Sequence, residues 1–420
     1  MNITADRLGS AIATLPWRVP LADWPRELLV GLPRGISRHV VRFVELAGVV
    51  VAVKETEDPI AEREHDLLQV LSQLDAPAVA PLGYITGRCT PDGERLPGAL
   101  LTPHLRYSLP YRALFSQDLA AAVARRLVDA LAVLLVRLHL AGFFWGDVSL
   151  SNALFRRDAD AFAAYLVDAE TGELHAQLSD GQREHDLELA RTNIAGDFLD
   201  LQAGGLVDAS VDPLAVSNRL LERYRELWQE LTGPEEFSMD DRWRVDDRVR
   251  RLNDIGFDLG ELTVTTDLDG VTTRIEPKVV EPGHHTRRLR RLTGIGAQDN
   301  QARRMLNDLD SYRMATGRTD EDEHDSAMAW MSDVYRPVLD AVPVEYADRL
   351  EPAQLFHEFL DHRWYLSENA GHDVSTPEAV RSYVDTVLPA HPREEAYLRE
   401  PSTGALQTLR TADPDSPGTP

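Results

Sequence analysis

The chain has 420 residues, 43% of them hydrophobic, which leaves room for two domains with ordinary cores. A formal charge of −25 excludes the basic footprint of a general nucleic-acid binder, and the single cysteine, Cys89, excludes a disulfide framework or a thiolate metal cluster within one chain. Only Lys54 and Lys278 are lysines among 44 basic residues, so a lysine here marks a position where a compact ammonium matters.

The opening MNITADRLGS lacks the basic start and apolar block of a signal peptide. The most apolar helical run is broken by Arg125, Arg126, Asp129 and Arg137. The expectation is a cytoplasmic protein without a membrane span. Residues 1–25, with Trp17 and Trp24, read as an extension packed on the first domain. From Glu27 the pattern turns β-like: LLVGL, HVVRFVELAG and VVVAVKET read as strands. The turn between the first two holds Gly31, Gly35 and Ser37. It is an ordinary hairpin turn, or a loop whose Gly35 amide and Ser37 hydroxyl approach phosphate oxygens. Lys54 ends the third strand.

Asp58 to Leu74 reads as a helix with Asp58 as its cap signal before Pro59. Glu64 shares the inward face with Leu67 and Leu68, and Glu62 competes with it as a partner for Lys54. PLGYITGR and GALLTPHL read as two more strands, followed by the aromatic connector RYSLPYRALFS. A long helix, Asp118 to Leu140, leads into LHLAGFFWGDVSLSN, which ends in Asp147, four spacers and Asn152. The strand Ala163 to Val167 then ends on Asp168. A helix beginning near Gln182 carries Asp186, which either supports the Asp147 loop from below or is a helix-start carboxylate favoured by the dipole. An amphipathic helix over 211–232 closes the domain, and Thr232 to Glu236 reads as a boundary.

Beyond it the sequence predicts a mainly helical domain over 233–400 with a β-hairpin in ELTVTTDLDGVTTRIEPKVV. Its helices are expected over Gln298–Thr316, Glu321–Val342, Glu351–Asn369 and Pro377–Leu388. The tail from Pro401 is expected to be disordered. EPKVVEPGHHTRRLRR is the most basic island of an acidic chain. It is a site for an anionic ligand, or a helix surface pairing with the chain's own carboxylates. His357-Glu358 with Asp361-His362 misses the zinc-protease spacing, since the fourth residue after His357 is Asp361, and reads as structural.

Over about residues 26–232 the set resembles the protein-kinase-like superfamily, on LHLAGFFWGDVSLSN, VAVK, REHDLLQVL and YLVDAETGEL. The branch it resembles reads His-Gly-Asp in this loop and includes the lipopolysaccharide (Kdo/WaaP-type) kinases, the Rio-type kinases and the aminoglycoside phosphotransferases. With its second domain, the chain resembles bacterial Kdo/WaaP-like proteins with an uncharacterised C-terminal domain. The resemblance implies an α+β, bilobal fold: an antiparallel β N-lobe and a helical C-lobe, followed by the mainly helical domain. It implies ATP and Mg²⁺ as cofactors and a hydroxyl-bearing acceptor: a sugar, a glycolipid or a protein Ser/Thr. Asp147 then corresponds to the catalytic base, Asn152 and Asp168 to the magnesium ligands, Lys54 with Glu64 to the phosphate-anchoring pair, and the Gly35–Ser37 turn to the phosphate-covering loop. Two positions depart from the pattern. Trp145 stands where the superfamily has His, and Ala169-Glu170 follow Asp168 where kinases have Phe-Gly. These departures support the alternative of a pseudokinase or nucleotide-sensing scaffold whose C-terminal domain binds a partner. No Gly-Lys pair occurs, so a Walker-type loop is absent.

Overall fold

The structure, a computed structural model, describes residues 1–5, 7–31, 39–115, 120–238, 243–266 and 272–390. The first sheet is antiparallel, in the order β1-β4-β5-β3-β2, with β1 (Asn2–Ala5), β2 (Val41–Leu46), β3 (Val49–Thr56), β4 (Gly83–Thr86) and β5 (Gly98–Pro103). Ala47 and Gly48 both take positive φ between β2 and β3, the two-residue turn whose twist matches paired strands. The N-terminal segment does more than pack on this lobe: β1 completes its sheet, and Trp17 meets Trp24 edge to face at 5.3 Å within its core. The expected strand at LLVGL does not form. Arg26–Leu28 is one turn of 3₁₀ helix entered from Pro25, whose φ is fixed, and Leu29 makes only an isolated bridge to Val44. The turn holding Gly35 and Ser37 lies outside the described residues.

Helix α1 (Asp58–Gln73) buries Ala61, Leu68 and Leu71 against β4 and β5. Its cap position is Glu57. Asp58 is the first helical residue, and its carboxylate accepts the Gly87 amide and Arg95 instead. The helical lobe is built on α2 (Ala120–Leu140), α3 (Asp180–Ala203) and α4 (Pro213–Thr232), with α4 packed against both others. Ser179 and Gln182 close a reciprocal capping box on α3, and Asp212 caps α4. Two small sheets frame the space between lobes. β6 (Ser108–Pro110) pairs β8 (Ala153–Asp158), which pairs β9 (Ala161–Leu166), while β7 (Phe143–Phe144) pairs β10 (Glu173–Leu174).

The second half opens with a three-stranded sheet rather than a lone hairpin. β11 (Glu235–Ser238), in the stretch read as a boundary, pairs β13 (Thr272–Pro282), which pairs β12 (Phe257–Thr266). Between β11 and β12 lies α5 (Trp243–Asp254), and its Leu252 joins Phe257 in the core of the first domain. A separate core follows around Trp330, Phe356, Phe359 and Tyr383, built by α6 (His284–Thr293), α7 (Asp299–Ala315), α8 (Glu323–Trp330), α9 (Pro352–Ala370) and α10 (Thr376–Thr386). The helix expected over Glu321–Val342 is interrupted by a π-helical turn, Met331–Tyr335, four residues upstream of which α8 begins its last turn; Pro337 cannot donate to Asp333, so the chain widens there instead of continuing α-helical. No described helix is long and apolar enough to cross a membrane. The tail from Pro401 lies outside the described residues.

The two halves meet at the tip of the β8–β9 hairpin. Asp158 accepts the Gln301 amide at 2.9 Å and the Asn300 side chain at 2.8 Å, so it caps the first turn of α7 from the other domain. Gln301 also donates to the Arg157 carbonyl at 3.0 Å and to Gln354 at 2.9 Å, and Gln354 accepts the Ala159 amide at 3.1 Å. Asp158, Gln301 and Gln354 are all buried. Burial pushes the Asp158 carboxyl up to about 6, against the pull of the hydrogen bonds it accepts. A raised carboxyl holds its proton longer in the folded chain than in the unfolded one. Its stabilisation is therefore full below the unfolded value and is lost as pH rises through about 6. Urea unfolding of wild type and Asp158→Asn between pH 4 and 7 should show wild type losing about 1–3 kcal/mol more than the variant over that window. Parallel pH profiles would refute the assignment.

Candidate active site

The apolar strand β3 delivers Lys54 to the floor of a cleft of about 150 Å³ between the lobes. Helix α1 turns Glu64 inward, fully buried, and Lys54 Nζ contacts both its oxygens at 3.0 and 3.1 Å. Glu62, the competitor, accepts the Tyr84 hydroxyl on the outer side at 3.3 Å. From the opposite side come Asp168 at 3.0 Å and Glu170 at 3.4 Å, and Glu170 also meets His39 at 2.8 Å. Glu64 further accepts the Ala169 amide at 3.2 Å, which ties α1 to the segment after β9. Burial opposes charge on Lys54, but Glu64 and Asp168 outweigh it and hold the ammonium above its ordinary value. Burial pushes the Glu64 carboxyl up to about 7 despite Lys54.

Asp147 and Asn152 flank one short loop. The Asn152 amide donates to Asp147 Oδ2 and to the Asp147 carbonyl, both at 3.0 Å. The other carboxylate oxygen of Asp147 accepts Asn193 of α3 at 3.1 Å. Asn152 and Asp168 line the cleft together with Lys54, and its remaining walls are largely apolar: Val41, Ala52, Leu100 and Leu154. His104 and Leu105, in the connector between the lobes, close its far end. Of the site residues expected from the sequence, Lys54, Asn152 and Asp168 line this cleft, Glu64 lies against Lys54 and Asp147 is hydrogen-bonded to Asn152. Gly35 and Ser37 lie outside the described residues.

The loop is held from beneath by Asp186, which has no exposed surface. It accepts the Trp145 amide at 2.8 Å, the Gly146 amide at 2.9 Å and His139 Nε2 at 3.1 Å. Burial keeps the His139 imidazole below its ordinary value, so the ring is neutral, with Nε2–H donating to Asp186 and Nδ1 accepting the Tyr224 hydroxyl at 2.7 Å. Burial raises the Tyr224 hydroxyl, which therefore keeps the proton it donates. Asp197, pushed up to about 7 by burial, accepts the Leu150 amide at 2.8 Å. Asp186, Asn193 and Asp197 are seven and four residues apart, one face of α3. That spacing is a readable signal, and only Asp186 was drawn from the sequence; Asn193, Asp197, His139 and Glu170 were missed.

Trp145 shows how its position is filled without histidine. It is fully buried, and its indole N–H donates to the Asp168 carbonyl at 3.0 Å while its own carbonyl accepts Thr171 Oγ1 at 2.8 Å. The ring braces the Asp147 loop against the Asp168 segment through one directed hydrogen bond and a large apolar contact. Gly146, at φ 77°, makes the turn directly before Asp147 and has Thr171 O only 3.2 Å from where a Cβ would stand.

Residues 29–204 match the phosphotransferase enzyme family, and residues 226–388 match a domain of unknown function (DUF4032). Among solved structures, WaaP in complex with acyl carrier protein aligns over 61% of this chain and 99% of its own, at 16% identity and a TM-score of 0.35. No curated protein matches the sequence. Over residues 29–204 the chain is thus similar to the phosphotransferase enzyme family, and over residues 226–388 to a domain of unknown function.

Proposed function

We propose that the chain is an ATP- and Mg²⁺-dependent kinase that transfers the γ-phosphoryl group to a hydroxyl acceptor, with Asp147 as the base. The observation that carries this reading is the convergence of Lys54, Asp168 and Asn152 on one apolar-walled cleft, with Asp147 hydrogen-bonded to Asn152. Phosphoryl transfer asks a protein for positioning and charge compensation more than for covalent chemistry.

The donor set fits a hard dication. Asn152 commits its amide nitrogen to the Asp147 carbonyl and Oδ2, so the oxygen of its side-chain amide is the atom it would offer a cation, and Asp168 and Glu170 add carboxylate oxygens. Asn152 and Asp168 would hold Mg²⁺, which supplies charge neutralisation of the phosphate oxygens when bound. Lys54, anchored by Glu64, presents its ammonium to the phosphates, and the apolar walls suit a purine ring. Asp147 is positioned by the Asn152 amide on Oδ2 and the Asn193 amide on Oδ1. The acceptor class is a hydroxyl of a sugar, a glycolipid or a protein side chain.

Three outcomes test the reading. Thermal unfolding with ATP and Mg²⁺ at about 100 times the dissociation constant should raise wild type by roughly 2.7 kcal/mol, about 5–10 °C, and the Mg²⁺-dependent part should vanish in Asp168→Asn. A chain that no nucleotide shifts would not be a kinase. Asp147→Asn should keep the nucleotide shift and lose about 10²–10⁴-fold in phosphoryl transfer across a panel of hydroxyl acceptors; undiminished transfer would remove Asp147 from the role of base. Trp145→Phe leaves the Asp168 carbonyl without its donor and should cost about 1–3 kcal/mol in urea unfolding. Turnover should fall as well, and a variant as stable and active as wild type would show that packing alone fills this position.

A further inference from the structure

The β8–β9 turn and helix α9 face each other across a polar cavity of about 880 Å³, which shares no lining residue with the cleft of Lys54, Asn152 and Asp168. On its wall, His357 Nε2 lies 3.2 Å from Asp361 Oδ2 and 3.9 Å from Asp160 Oδ1, and the three ligand atoms are all within 4.8 Å of one another. We propose that Asp160, His357 and Asp361 form a site for a transition-metal dication of the zinc class, tying the hairpin of the phosphotransferase domain to the C-terminal domain.

The spacing suits the ion. Two ligand atoms each about 2.0–2.2 Å from a tetrahedral Zn²⁺ stand about 3.4 Å apart, so a rotation of the Asp160 side chain brings the set to size. Asp160 has that freedom on the turn, with its side chain 85% exposed, whereas His357 is fixed at 4%. His357 and Asp361 lie at i and i+4, one face of α9. His362, the residue that spoils the zinc-protease spacing, points elsewhere and meets Ser382 Oγ at 2.9 Å. Asp361 thus takes the place of a second helical histidine, and the other domain supplies the third ligand.

Electrostatics and partners agree. One neutral imidazole and two carboxylates balance a dication. Arg304 donates to Asp361 Oδ1 at 2.9 Å, orienting that carboxylate while Oδ2 faces His357. An imidazole ligand selects Zn²⁺, Co²⁺ or Ni²⁺ over Mg²⁺ or Ca²⁺. An independent sign that this wall is built for something more than packing is its buried, unpartnered imidazole atoms: His357 Nδ1, and Nε2 of His285, which lines the same cavity. The cavity has room for the water that completes a three-ligand site and hydrogen-bonds such atoms.

The test uses the full chain, stripped with chelator and dialysed to equilibrium against low-micromolar Zn²⁺, with bound metal counted by mass spectrometry. Wild type and Asp168→Asn should each hold about one equivalent. Asp160→Asn and His357→Ala should bind at least about tenfold more weakly. Asp160→Asn is the decisive variant, because an exposed turn residue can change without unfolding the chain, and its metal-free melting temperature should match wild type. Zn²⁺ should raise the melting temperature of wild type and leave that of Asp160→Asn unmoved. Zinc retained by both Asp160→Asn and His357→Ala, or lost in Asp168→Asn, would place the ion elsewhere and overturn the proposal.

Discussion

A carboxylate with no exposed surface lies beneath the Asp147 loop, and the geometry of the cleft depends on it. Asp186 gives up its hydration and recovers it from two backbone amides, Trp145 and Gly146, and the His139 ring. Those donors belong to the two residues before Asp147 and to the last turn of α2, so one buried side chain fixes the angle at which the loop leaves the helix. His139 passes the constraint on to Tyr224 of α4. A cluster of this kind rigidifies only when each member has its partner, and here the imidazole, the phenol and the carboxylate satisfy one another in a single consistent pattern of donors and acceptors.

The second domain reaches the same loop by another route. β8 starts immediately after Asn152, and β9 ends two residues before Asp168. The two proposed magnesium ligands therefore hang from the base of one hairpin, whose tip is held by Gln301 and Gln354 and whose Asp158 caps helix α7. A two-stranded hairpin alone is marginal in water. This one is supported by β6 on one edge and by the C-terminal domain at its tip, so the domain of unknown function bears mechanically on the spacing of Asn152 and Asp168.

Much of the cleft was legible in the sequence because its parts are local. Lys54 at the end of an apolar strand, Glu64 on an inward helical face and Asp147 four spacers before Asn152 each follow from periodicity and short spacing. What was not legible is what depends on contacts between distant segments. β1 and β11 are too short to announce themselves, and become strands only because a sheet edge waits for them. LLVGL has strand-like residues, yet among its described residues a 3₁₀ turn entered from Pro25 is followed by a single bridge, Leu29 to Val44. Glu170 looked like a defect in a kinase pattern; folded, it is a third carboxylate at Lys54. Asp160 is separated from His357 and Asp361 by almost two hundred residues, a distance over which no spacing rule operates.

The same crowding explains why position 54 holds one of only two lysines. Its ammonium touches Glu64, Asp168 and Glu170 within 3.0–3.4 Å, from two sides of the cleft, with its side chain 11% exposed. A point charge on a flexible stem can be shared among three carboxylates that are not coplanar, whereas a guanidinium offers its donors in a rigid plane and commits them in pairs. Arg88 shows that alternative in the same lobe: its planar head is buried, but its partners, the carbonyls of Trp17, Val19 and Pro97 with the Glu55 carboxylate, are spread around the fork. Where the chain needs a fan of donors to brace a fold it uses arginine. Where three carboxylates surround a single positive point, the compact ammonium of lysine fits.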